Sequence, residues 1–166
     1  MKNNKKKKTS QIQFIKNIET LVFSDFMEKP CVFCKILKKE ISSDKIWEND
    51  KFYAFLDITP VNPGHFMIIP KKHVDYFFEI PEEDYKEIFQ IAKKLQKALL
   101  KATNAKRIGL VVEGFAVPHA HLHLLPLHLP NDIDPCRAKK GIPEEMKQMA
   151  EKIRKTIEEE MPCNNK

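Results

Sequence analysis

Three histidines occupy alternate positions in His119-Ala-His121-Leu-His123-Leu-Leu-Pro126, half of the six histidines in the chain within five residues. Side chains of an extended strand alternate with a period of two. The spacing therefore sets the three imidazoles on one face and Ala120, Leu122 and Leu124 on the other. Two chemistries suit such a face: neighbouring imidazoles can ligate a metal, or one can attack a substrate while the others orient it and complement its charge. A second group is Cys31-Val-Phe-Cys34. A Cys-x-x-Cys pair is a redox couple or half of a zinc site, and the surrounding pattern lacks the βαβ unit of the redox case. A tetrahedral zinc needs two further ligands, for which the histidines are the pool, and His73 in Pro70-Lys-Lys-His73 is well placed by order. Cys136 and Cys163 have no partner at a useful spacing and are read as incidental.

These side chains need elements to carry them. Residues 1–9 are polar, charged and aperiodic, which predicts a disordered basic tail. Ser10 with Gln13 makes a capping box ahead of Ile12, Ile15, Ile18 and Val22, predicting an amphipathic helix over about 10–27. Ile46-Trp47-Glu48 reads as a short strand ending in an Asn49-Asp50-Lys51 turn, and Phe52–Leu56 as a second strand. Prolines and a glycine make Asp57–Gly64 a loop. His65–Ile69, apolar at nearly every position, is a third strand buried on both faces. Pro81 followed by Glu82, Glu83 and Asp84 opens a helix; Tyr85, Ile88, Phe89, Ala92, Leu95 and Leu99 mark its apolar face as far as Thr103. Ile108–Val112 and His119–Leu125 follow as the fourth and fifth strands, and Pro143 opens a last helix to about Glu160. A few strands, one long crossover helix and hairpins describe an α+β domain. Its expected limits are 28–130, followed by a C-terminal loop and helix over 131–166. Trp47 is expected in the core, His128 in a loop, and Lys71 and Lys72 at a solvated strand end.

Composition narrows the function classes. The 166 residues suffice for one domain with a proper core. The net charge of +6 invites a nucleic-acid reading, but residues 1–16 hold six lysines and no acid. Setting those six aside from the 29 basic residues leaves 23 facing 23 acids, so the remainder is formally neutral. Nucleic acid or anionic lipid is then at most a weak partner of the tail. Glycines stand only at 64, 109, 114 and 141, so no glycine-rich phosphate loop can be written. No apolar run approaches the roughly 18 residues of a membrane span. The basic start lacks the apolar stretch of a secretory signal, and the cysteine usage suits a reduced compartment. A cytoplasmic location is the expectation.

The triad, Cys31-Val-Phe-Cys-Lys-Ile36, Ala54-Phe-Leu-Asp57-Ile58, Pro63-Gly-His65 and Ile69-Pro-Lys-Lys-His73 together resemble the histidine-triad (HIT) family in order and spacing over about 31–130. The resemblance implies a five-stranded antiparallel sheet with one long helix, usually in a homodimer, and chemistry at the α-phosphate of a nucleotide through a nucleotidyl-histidine intermediate. Carried over by motif position, His121 is the nucleophile, His123 binds the phosphate oxygens, and His65 supports that charged cluster. Asp57 accepts hydrogen bonds from the ribose hydroxyls, while Phe33, Leu56 and Ile58 wall the base. The zinc-binding branch of the family implies Cys31, Cys34, His73 and His119 as ligands of a structural zinc. Expected substrates are phosphoramidates or dinucleoside polyphosphates.

The segment Gly109–His119 departs from many active relatives. It is shorter, and Val112 and Phe115 stand where polar groups would meet the phosphate or leaving group. Such contacts would come from elsewhere, the 131–142 segment and Glu113 being the candidates. Two other readings compete: a nucleotide-binding module with little turnover, and a metal-dependent hydrolase with His119, His121 and His123 as ligands.

Overall fold

A computed structural model describes residues 31–161. The tail at 1–9, the helix at 10–27 and Cys163 lie outside the described residues. From Val32 the elements are α1 (Val32–Leu37), β1 (Lys45–Glu48), β2 (Phe52–Leu56), β3 (Phe66–Pro70), α2 (Glu82–Thr103), β4 (Arg107–Val112), β5 (Leu122–Leu127) and α3 (Pro143–Glu160), with 3-10 turns at Phe77–Glu79 and Pro135–Arg137. The five strands form one sheet in the order β1-β2-β3-β5-β4, every neighbouring pair antiparallel. Because β5 pairs antiparallel with both β3 and β4, those two strands run parallel. A parallel relation requires a crossover, and α2 supplies it.

The sequence reading differs from this fold at several points. Val32–Leu37 is helical, a turn too short for periodicity to reveal. The third strand begins at Phe66 and the fifth at Leu122, so His65, His119 and His121 sit just outside regular strand. The fifth strand also runs on through Pro126. Proline is tolerated there because β3 pairs with β5 only from Leu122 to Leu124, and the Asn62 amide donates to the Pro126 carbonyl at 2.9 Å. Trp47 is half-buried against the core rather than within it.

The two faces of the sheet separate structure from chemistry. Phe52, Ala54, Leu56, Phe66, Ile68, Leu122 and Leu124 pack with Ile88, Leu95 and Leu99 of α2 and with Ile153 of α3 in the core. Acids in the first turn of α2 face its positive dipole end, and Asn104 closes the helix in the left-handed conformation. The other face carries Phe55, Met67 and His123. Met67 is paired directly with His123, and Phe55 with Met67. His65 precedes β3 on the same face and stands diagonal to His123, within side-chain reach. Phe33 of α1 sets its ring edge against Phe55 at 5.4 Å, so the short helix covers this face. Gly64, immediately before His65, has φ +90°, and a Cβ there would come 2.7 Å from Thr103 Cγ2, so only glycine fits the approach to the site.

Candidate active site and metal centre

The triad divides into two clusters along one strand and its lead-in. His119 is fully buried, and its Nε2 lies 2.9 Å from the Pro70 carbonyl. A carbonyl only accepts, so Nε2 carries the proton and Nδ1 keeps its lone pair. That Nδ1 faces Cys34 Sγ at 3.6 Å and His73 Nδ1 at 3.3 Å, while Cys34 Sγ is 3.3 Å from His73 Nδ1. One ligand atom from each of Cys31, Cys34, His73 and His119 lies within 4.8 Å of the others. A tetrahedral ion with bonds of about 2.0–2.3 Å holds its ligand atoms about 3.3–3.7 Å apart, which is the spacing of the Cys34, His73 and His119 donors. This group could hold a metal ion, with the His119–Pro70 contact orienting one ligand as an outer-shell partner does. Burial lowers the pKa of His119, opposed by the Pro70 hydrogen bond and reinforced by His73 and His121; the neutral form is the one a metal takes.

His121 comes next along the chain. Its Nδ1 donates to the His119 carbonyl, leaving the lone pair on Nε2. Phe33 packs edge-on against its ring at 5.4 Å and against that of His119 at 5.8 Å. The ring of His123 is 4.8 Å away on the other side.

A relay of hydrogen bonds sets the tautomers of the second cluster. The Val61 amide donates to His65 Nδ1 at 3.3 Å, so the proton of neutral His65 sits on Nε2. From there it donates to His123 Nδ1 at 2.9 Å. His123 therefore carries its own proton on Nε2, a donor beside the His121 lone pair. Burial pushes His123 down to about 3, with His65 and His121 adding to the effect and Asp57 opposing it. His65 is also lowered, by burial first, against the pull of Asp57. The cluster at rest is thus neutral rather than charged as the resemblance suggested, because desolvation outweighs one carboxylate 3.8–3.9 Å away.

Asp57 accepts from the Thr59 amide at 2.8 Å and the Thr59 hydroxyl at 3.1 Å through Oδ1. Thr59 escaped the sequence reading, although Asp-x-Thr is the spacing of such a side-chain turn. Val61 could not be found at all, since its contribution is a main-chain N–H. The expected base wall is not gathered in one place. Phe33 lies on the histidine face, Leu56 is part of the core, and Ile58 is 70% exposed at the loop rim. Phe115 is 98% exposed and Val112 partly so. Lys71 pairs with Glu48 at 3.2 Å and Lys72 is exposed.

The HIT domain model matches residues 38–129. The chain is 42% identical over 101 residues to adenosine 5'-monophosphoramidase HNT1 of Saccharomyces cerevisiae, covering 60% of this chain and 64% of that protein. It therefore spans a little under two thirds of the yeast relative's length. Against the protein of that name from Candida albicans it is 39% identical over 108 residues, covering 58% of this chain and 69% of the relative. Its fold is similar to that of a hypothetical histidine triad nucleotide-binding protein from Sulfolobus tokodaii, with a TM-score of 0.70 and 28% identity over 78% of this chain and 93% of that one. With the family match spanning more than half of its residues, the chain belongs to the HIT family.

Proposed function

We propose that the chain is a nucleotide hydrolase acting at the α-phosphate through a nucleotidyl intermediate on His121. The observation that carries this is the His121 Nδ1–H···O contact to His119, which leaves Nε2 as the nucleophilic nitrogen next to the Nε2–H of His123. His121 Nε2 attacks phosphorus and forms a P–N bond. The bond to the leaving group breaks, and that group departs with the electron pair and takes a proton from water. His123 donates to a non-bridging oxygen as charge develops. Water then cleaves the P–N bond, releases the nucleoside monophosphate and restores neutral His121. The names of the yeast relatives favour a nucleoside 5'-phosphoramidate as substrate, with an amine leaving, over a dinucleoside polyphosphate. Among the described residues, no donor group close enough to share an ion contains all three triad imidazoles, which favours nucleophilic over metal-dependent hydrolysis. Mass spectrometry of protein quenched with adenosine 5'-phosphoramidate is expected to show an adenylyl adduct that His121→Ala abolishes. An equal adduct in the variant refutes the mechanism. Binding of AMP without any adduct would instead establish the binding module that Val112 and Phe115 favour.

Cys31, Cys34, His73 and His119 are proposed to hold a structural zinc: the four protein ligands fill a tetrahedron, so no open position remains for substrate. Bound there, zinc would tie the α1 end to β3 and to the lead-in of β5. Cys34→Ser is expected to lower zinc stoichiometry from one per chain towards zero and to reduce thermal stability. Unchanged zinc content would overturn the assignment.

A homodimer is the proposed assembly, because the edge strand β4 exposes Leu110 and Val112 next to Phe115, an apolar edge that a second copy would cover. Sedimentation equilibrium should give twice the chain mass, and Leu110→Asp the single mass; a monomeric wild type rejects the proposal. The site is proposed to operate in the cytoplasm, where thiols remain reduced.

The neutral His65–His123 pair sets a pH dependence. His123 binds its proton near pH 3 when folded and near 6.5 when unfolded. The unfolded state therefore binds more protons between those values. Stability is full above about 6.5 and falls as the pH drops through the window. Between pH 7 and 5 this residue alone accounts for at most about 2 kcal/mol. His123→Asn should flatten the decline in urea midpoints over that range; parallel profiles for variant and wild type would contradict it.

A further inference from the structure

The family match ends at residue 129, yet the segment that follows returns to the loop carrying Asp57. The Gly141 amide donates to the Ile58 carbonyl at 2.9 Å, and the Lys139 amide to the Pro60 carbonyl at 3.3 Å. The two bonds lay residues 139–141 alongside Ile58–Pro60 like a short paired strand. The segment also packs closely on α3: a Cβ on Gly141 would lie 2.3 Å from Met146 Sδ. A cavity of about 80 Å³ is walled on one side by Asp57 and His65 and on the other by Gly141, Ile142 and Glu145.

The segment is also firmly rooted. Asp132, 2% exposed, accepts from the His128 and Leu129 amides at 2.7 and 2.8 Å and pairs with Arg137. Asn62, buried within the Asp57 loop, donates to the Pro126 and Asp132 carbonyls at 2.9 Å each. Arg137 reaches back to Asn62 Oδ1 at 3.5 Å. The loop is thus held at Ile58, Pro60 and Asn62 by residues beyond the family match. Within it, Thr59 engages Asp57 Oδ1.

We infer that residues 131–142 form a strap that positions the Asp57 carboxylate for the hydroxyls of a ribonucleotide, with Arg137 and the Lys139 amide as positioning groups. This rests on the reading of the site as a nucleotide site. A carboxylate that must accept from two hydroxyls depends on its orientation, and the Ile58–Pro60 backbone sets that orientation through Thr59. The strap acts first on affinity for the ribose; His121 takes its tautomer from the His119 carbonyl, outside this loop.

The test compares the full chain with Lys139→Pro, Arg137→Ala and Arg137→Lys. Proline at 139 deletes the N–H while suiting its neighbour, because Ala138 has ψ 130°, the conformation a residue before proline adopts. Binding of AMP and of 2',3'-dideoxy-AMP is measured by calorimetry. Lys139→Pro and Arg137→Ala should weaken AMP about fivefold to tenfold, the scale of one hydrogen bond. The dideoxy analogue should change little, adduct formation at saturating substrate should persist, and Arg137→Lys should recover most of the loss. In an Asp57→Asn background, Lys139→Pro should have no further effect. Amide exchange at Thr59, read without any nucleotide, should accelerate in both strap variants. Equal weakening of both nucleotides, or unchanged AMP affinity and Thr59 exchange in folded variants, overturns the strap. Accelerated Thr59 exchange in a chain whose wild type binds no nucleotide would keep the mechanical coupling, refute the ribose role and fault the nucleotide reading.

Discussion

The pairing of Met67 with His123 is the constraint on which the rest of the site depends. In that register the even-numbered residues of β5, Leu122 and Leu124, enter the core with Phe66 and Ile68, and His123 is left on the face under α1. A slip of one residue would drive an imidazole into a hydrocarbon layer and expose two leucines, so core packing enforces the chemistry. The same register makes His65 diagonal to His123, and the relay from Val61 through His65 to His123 follows.

That relay explains how a buried cluster of imidazoles stays usable. Each ring has one nitrogen committed to a protein partner, His121 to the His119 carbonyl, His123 to His65 and His119 to Pro70. The opposite nitrogen of each ring is thereby assigned, a lone pair on His121, a proton on His123 and a lone pair on His119. Burial keeps His65, His119 and His123 neutral by making the imidazolium costly. One strand lead-in thus serves a metal-type donor set at His119 and, two residues on, an imidazole whose Nε2 keeps its lone pair.

The loop from Asp57 to Gly64 links these parts to the rest of the molecule. It holds the carboxylate, the Val61 amide and the glycine that lets the chain pass close to α2 just before His65, and it is braced by residues from beyond the family match. Asn62 and Asp132 have their polar atoms paired within this brace, as groups this deeply buried require.

How much was legible in the sequence follows from which interactions are local. Strand periodicity sufficed for the outward side of His123 and for the core role of Leu122 and Leu124, because alternation is a property of the chain itself, whereas His119 and His121 precede the regular strand. The α+β class and the long helix from Glu82 to Thr103 were readable for the same reason, as were the Cys-x-x-Cys pair and the family resemblance. Tertiary structure alone decided that His65 meets His123, that Leu56 packs in the core while also lining the small cavity beside Asp57, that burial keeps His65, His119 and His123 neutral, and that residues 139–141 brace the Asp57 loop. Those outcomes depend on strand register, on desolvation and on main-chain amides. Such quantities exist only once distant segments are packed, and no residue type records them.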